Sequence, residues 1–258
     1  MIARWAAAAC LAASSIGAQE RAIPLDKLQS GAAFMSADLR AQQADDFANP
    51  GMLWVERGAK LWTQAAGAGG KACADCHQDA RVSMKGVAAR YPARDRESGR
   101  LFNTADRILQ CRTERQSAAR PAWESEELLS LTAFVAHQSR GIPINATIDE
   151  PTRPHFEAGR AFFDRRIGQL NISCAHCHDA QWDRTLYAET ISQGHPNAYP
   201  VYRLDWQTLG SLERRFRACL SGIRAEMLPY GAPAYRDLEL YLVWRAQGMR
   251  VETPGVRR

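Results

Sequence analysis

The sequence predicts a mainly α-helical chain built as two tandem units related by internal duplication. Three observations predict it. The pentapeptide Cys-x-x-Cys-His occurs twice, at Cys73–His77 and Cys174–His178. Glu56-Arg57-Gly58 precedes the first copy and Glu157-Ala158-Gly159 the second, at the same 101-residue offset as the motifs themselves. Each half closes with a run of helical periodicity that stops at glycine, Leu128 to Arg140 before Gly141 and Leu238 to Gln247 before Gly248. Glycine just past a helix end takes the left-handed conformation at little cost.

The chain begins with a short positive start at Arg4, followed by an Ala-rich apolar run from Trp5 to Gly17. This reads as a secretory signal peptide, residues 1–18, cleaved after Ala18; the run is too short to span a bilayer. Its removal takes Cys10 and Arg4 with it, lowering the formal charge from +5 to about +4. No later apolar stretch is long enough to cross a membrane. A charge this mild excludes the concentrated basic patch of a nucleic-acid binder and suits a small anion or an acidic partner face. The export signal places the mature chain in the periplasm. Hydrophobic residues at 46% and charged residues at 24% are those of an ordinary globular protein.

The first unit covers residues 19–145. Bulky Leu61-Trp62 follow Gly58, as Phe162-Phe163 follow Gly159 in the second unit. The glycine-rich run Gly67-Ala68-Gly69-Gly70-Lys71 lacks the glycine spacing and the Ser or Thr of a phosphate loop and reads as a flexible lead-in. Arg94-Asp95-Arg96-Glu97 reads as a solvated charge cluster. The closing run repeats Leu128, Leu131 and Val135 at helical spacing, with Glu124, Glu126 and Glu127 where acidic charge suits the helix dipole. Three prolines, Pro143, Pro151 and Pro154, mark the linker to the second unit, residues 146–258. There, Arg184 to Tyr202 reads as loop and Pro233 as the start of the closing helix.

The motifs carry chemistry. Attaching a haem covalently needs two thiols for its vinyl groups and an imidazole on the same side for its iron. Cys-x-x-Cys-His supplies all three within one helical turn. Zinc would need the two cysteine pairs brought together across nearly a hundred residues and would leave both histidines unexplained. Two haem c groups are therefore expected, on Cys73 and Cys76 with His77 as axial ligand, and on Cys174 and Cys177 with His178. Helices flanking such a motif are the layout of a class I cytochrome c domain, so the fold class is two tandem class I cytochrome c-like domains.

Two cysteines remain, Cys111 and Cys219, each ending a basic apolar segment between its motif and the closing helix. An exported pair can form a disulfide. Equivalent placement in the two halves favours equivalent roles, as the distal iron ligand of each haem. Met84 and Met227, the methionine alternatives, do not sit at equivalent places. His137, His155 and His195 read as surface or packing residues, and His176, between the motif cysteines, as exposed. Arg224 and Arg245 are further candidates for anion contact.

Two class I domains, each with Cys-x-x-Cys-His and a downstream cysteine, together with Arg215-Phe216-Arg217-Ala218-Cys219-Leu220, resemble the SoxA family. These are the dihaem subunits of periplasmic thiosulfate-oxidising complexes, acting as L-cysteine S-thiosulfotransferases. The resemblance implies that Cys219 is the distal ligand of the second haem and carries a persulfide sulfur. It implies that Arg215, one helical turn earlier, binds thiosulfate. It further implies a SoxX-type monohaem cytochrome as heterodimer partner and a SoxYZ-type carrier whose cysteine receives thiosulfate. The functions set against it are a dihaem cytochrome that only carries electrons and a dihaem peroxidase. The first shares every haem-binding residue, so Cys219 and Arg215 discriminate.

Overall fold

The structure, a computed structural model, describes residues 21–187 and 189–258. The signal peptide, its cleavage point and Cys10 lie outside the described residues. The chain is mainly helical. In the first half come α1 (Ala37–Ala44), α2 (Met52–Thr63), α3 (Cys73–His77), α4 (Ala80–Ser83), the small hairpin β1 (Ala93–Arg94) and β2 (Leu101–Phe102), α5 (Thr104–Gln110) and α6 (Glu126–His137). In the second half come α7 (Arg153–Asp164), α8 (Cys174–His178), β3 (Thr185–Leu186), β4 (Glu189–Thr190), β5 (Val201–Arg203), β6 (Thr208–Gly210), α9 (Leu212–Gly222), α10 (Pro233–Arg245) and β7 (Gly255–Arg257).

Local chemistry sets the helix starts. Ser125 Oγ accepts from Leu128 N at the head of α6, and Ser211 Oγ accepts from Arg214 N at the head of α9. Asn103 and Asp106 cap α5 reciprocally. Pro154 sits in the first turn of α7 and Pro233 opens α10, where the missing N–H costs no helical bond.

The two halves use the same packing device. In the first, α2 crosses α6 at Gly58; a Cβ there would lie 2.2 Å from the Ser130 carbonyl oxygen. In the second, α7 crosses α10 at Gly159; a Cβ would lie 1.9 Å from the Asp237 carbonyl oxygen. Glycine lets the backbones touch, which explains why the Glu-x-Gly signature stands ahead of each motif. Each half also closes a short turn before its motif, Ala66 opposite Lys71 and Ile167 opposite Ile172. The glycine-rich lead-in is thus built into the structure rather than loose: Gly67 at φ +63° packs on the Gln116 carbonyl.

Other expectations are revised. The first closing helix begins earlier than its periodicity suggests, at Glu126, where Ser125 caps it, whereas the second begins at Pro233 as expected. The stretch 184–202 holds the β3–β4 hairpin and β5 rather than loop alone. A three-stranded sheet orders β6-β5-β7, with β5 antiparallel to β6 and parallel to the C-terminal β7. Asp95 is buried, held by Ser98 and Arg107, whereas Arg94, Arg96 and Glu97 of the same charge cluster are exposed.

The halves are tied together. Leu101 of β2 packs into the core formed by Phe156, Phe163, Phe216, Tyr235 and Tyr241. Buried Arg236 of α10 forks onto Asp106 of α5 at 2.6 and 2.7 Å and also pairs with Glu213 of α9. Near the N-terminus, Gln29 N donates to Gln193 Oε1 at 2.8 Å, and Arg21 stacks on Trp244 at 3.9 Å.

Candidate functional site

Each Cys-x-x-Cys-His forms one short helix, α3 or α8. The third residue turns back to cap it in both cases. Asp75 Oδ2 accepts from Ala72 N at 2.7 Å, and His176 Nδ1 meets Ser173 Oγ at 2.7 Å. His176 is half-buried and spent on this cap, so it is not an iron ligand. The six described cysteines are all free, so Cys111 and Cys219 are not joined to each other.

In the second half the axial histidine is fixed. His178 Nδ1 donates to the Ser192 carbonyl at 2.7 Å, leaving Nε2 as its free nitrogen. Gly194, at φ +74°, lies flat against the ring, where a Cβ would be 2.9 Å from His178 Cγ. Cys219, on α9, is in side-chain hydrogen-bond contact with His178. Cys174 and Cys177 lie close enough for their charges to act on Cys219. A haem fits this set. Two thiols stand on one helical face, an imidazole has one nitrogen pinned and one free, and a thiol faces it.

Burial pushes the Cys219 thiol up, yet Arg215, the His178 contact and Arg203 together draw it down to about 7. Arg215 in turn is raised, first by Cys219 and against its own burial. Its side chain donates no hydrogen bond to the described residues, leaving the fork free. Two basic residues here escaped sequence reasoning. Arg203 of β5 is buried, and its Nε has no partner among the described residues while Nη2 reaches Glu189 at 3.2 Å. Arg257 of β7 pairs in register with Arg203. The hydroxyl of Tyr199, raised by burial, feels Arg215, Arg203 and Arg257. No motif marks these residues, because only the β5–β7 pairing brings them to α9. Arg224 turns at φ +54° just past α9, and Arg245 faces the histidine side rather than the sulfur.

The first half is built differently. Cys111 begins a π-helical turn (Cys111–Arg115) at the end of α5, a distortion common at functional positions. It lies near Cys76 and Cys73. Burial raises its thiol, and Arg107 and Arg115 do not overcome this. His77 is exposed, makes no hydrogen bond among the described residues, and stacks with Trp62 at 5.7 Å. Met84 packs with Trp62 and Cys73, whereas Met227 is exposed. Arginines flank the cysteines of both sites, but only in the second do they outweigh burial, and among the described residues only the second histidine is fixed by a hydrogen bond.

Comparison with known proteins places this geometry. A family model described as SoxA/TsdA, cytochrome c domain, matches residues 57–144. The L-cysteine S-thiosulfotransferase subunit SoxA of Pseudaminobacter salicylatoxidans is 41% identical over 236 residues, covering 91% of this chain and 82% of that protein. The same subunit of Rhodovulum sulfidophilum is 38% identical, covering 90% and 81%. The crystal structure of SoxXA from P. pantotrophus superposes with a TM-score of 0.86 at 35% identity, covering 90% of this chain and 87% of that one.

Proposed function

This chain belongs to the SoxA family of L-cysteine S-thiosulfotransferase subunits, and on that premise we propose which of its residues carry the reaction. The function is the coupling of thiosulfate to a cysteine in sulfur oxidation. The observation that carries the assignment to the second half is the meeting of Cys219, His178 and the free fork of Arg215.

The coupling forms one sulfur–sulfur bond between thiosulfate and a thiol, breaks the S–H bond, and releases one proton and two electrons. Bound haem supplies one-electron acceptance, so two successive transfers or two centres are needed. Cys73 and Cys76 would hold one covalent haem c, with His77 and Cys111 as the residues offered to its iron. Cys174 and Cys177 would hold the other, with His178 and Cys219 offered to its iron. Cys219 also carries a persulfide sulfur that stays on the protein: thiosulfate joins it with loss of two electrons, and the carrier thiolate then takes the thiosulfate group and releases the persulfide, whose terminal sulfur is more acidic than a thiol. Arg215 and Arg203 receive the sulfonate oxygens of thiosulfate. Guanidinium forks match oxyanions in two-point fashion, and their burial keeps water from competing.

The domains divide at residues 145 and 146, each with its own crossed helix pair. The partners are a SoxX-type cytochrome, as in the SoxXA structure, and a SoxYZ-type carrier that presents the acceptor cysteine. Export to the periplasm, with residues 1–18 removed, fits the apolar leader. Among the described residues no helix is long and apolar enough to cross a membrane.

Replacing Cys219 with Ala tests the assignment. Intact mass of the exported, partner-bound protein is expected to show both haems attached, while coupling of thiosulfate to the carrier is abolished. Retained coupling removes Cys219 from the mechanism and leaves the electron-carrier function.

A further inference from the structure

The second axial histidine is held by a relay that begins on a different helix. Arg245 is the last residue of α10 and is buried. Its Nη2 donates to Asp179 Oδ1 at 2.5 Å and to the Gln193 carbonyl at 3.3 Å. Asp179 directly follows His178. Gln193 directly follows Ser192, whose carbonyl takes the His178 Nδ1 proton at 2.7 Å. One guanidinium therefore grips both chain segments that fix the imidazole, one on each side of its hydrogen bond.

The grip is backed from outside. Phe163 of α7 lies 4.3 Å under the guanidinium, so the α7–α10 crossing sets its height. Gln193 is fully buried, and its side chain accepts from Gln29 N at 2.8 Å and donates to the Lys27 carbonyl at 3.0 Å. Gly194 then closes on the ring face. The first half has nothing comparable. His77 is exposed and without a hydrogen bond among the described residues. Gln138, at the end of α6, turns its amide back to the Phe134 carbonyl of its own helix.

We propose that Arg245 is a positioning residue for His178, holding the Ser192 carbonyl against Nδ1 and so setting the electron-donating strength of the imidazole at the second haem. An imidazole whose N–H is firmly engaged by a carbonyl is a more basic ligand and favours the ferric state. The asymmetry between the halves then has a purpose. The braced site keeps a low potential and a fixed ligand angle where sulfur chemistry takes place, and the unbraced site does not. The proposal rests on haem attachment at Cys174, Cys177 and His178.

The test uses the partner-bound protein carrying Arg245→Lys, which keeps the charge but offers a point donor that does not span both acceptors. Asp179→Asn and Gly194→Ala accompany it. Intact mass counts haems first; a wild-type protein with one haem overturns the attachment on which the proposal stands and not the relay itself. With two haems present, Arg245→Lys is expected to raise the midpoint potential of the second haem and alter its ferric g values in electron paramagnetic resonance. The first haem's signal stays in place. Gly194→Ala, which pushes a methyl into the ring, is expected to move the same signal and shows that the readout responds. Asp179→Asn is expected to move it in the direction of Arg245→Lys. An unmoved potential and unmoved g values in whichever of these two variants keeps both haems overturn the proposal. Loss of the second haem from both, with the first retained, overturns it too, since Arg245 would then serve attachment rather than orientation.

Discussion

Cys111 and Cys219 occupy equivalent places in sequence, yet their neighbours make them chemically unlike. Burial raises both thiols, but beside Cys219 the charges of Arg215 and Arg203 and the His178 contact reverse the sign. The role proposed for Cys219 benefits from this field, because the anionic form of a sulfur is the reactive one. Arg215→Lys is expected to raise KM for thiosulfate by about ten- to a hundredfold with both haems retained, the loss of one charge-assisted contact. Steady-state coupling assays with the carrier protein check it, and an unchanged KM would remove Arg215 from substrate binding. The residues seen only in the structure, Arg203, Tyr199 and Gly194, carry no motif. Arg203 in particular looks like any strand residue until its unpartnered Nε is found buried beside α9.

Among the elements, the paired crossings α2–α6 and α7–α10 organise the fold. Each depends on a glycine against a carbonyl of the facing helix. Gly159→Ala puts a methyl where no space exists and is expected to cost about 1–3 kcal/mol, at the upper end because the obstacle is backbone. Thermal or urea unfolding of the holoprotein measures it. The same change also displaces α10 and with it Arg245, so the second haem's spectrum is expected to shift while the first haem's does not. A loss of stability without any spectral change would separate the crossing from the relay. The helix pairs and both glycines are legible in the sequence, since periodicity and spacing are local. The β5–β7 pairing is not, because it joins strands of three residues each across some fifty residues of chain.

For the whole molecule, the ties between halves are charged and buried. Arg236 holds Asp106 across the interface and Glu213 within its own half. Arg236→Leu strands the buried Glu213 and the half-buried Asp106 and is expected to cost about 3–5 kcal/mol, measured by chemical denaturation. Next to it, burial pushes Glu239 up to about 7, against the hydrogen bond from Asn103 and the charge of Arg236. Its folded value lies above the unfolded 4.5, so the folded chain holds the extra proton between them. This contribution to stability is complete below the unfolded value and fades as pH rises through about 7. Glu239→Gln, which keeps an oxygen for Asn103, is expected to flatten that slope and stabilise the protein at neutral pH relative to the parent. Denaturation midpoints at pH 5 and about pH 8 check the sign; parallel curves for the two proteins would show that Glu239 is not the titrating group.

The sequence by itself determined the two Cys-x-x-Cys-His motifs, the closing helices, the glycine ahead of each motif and the one-turn spacing of Arg215 and Cys219. All of these are encoded in short spacings that one helical turn converts directly into geometry. The tertiary structure alone decided how differently the two halves surround their cysteines and histidines. That difference comes from residues far apart in the chain, with Arg203 and Arg257 placed by the sheet, Ser192 and Gly194 by a loop, and Arg245 by the end of α10. Electrostatic field and ligand orientation are sums over neighbours in space, and local sequence pattern fixes neither.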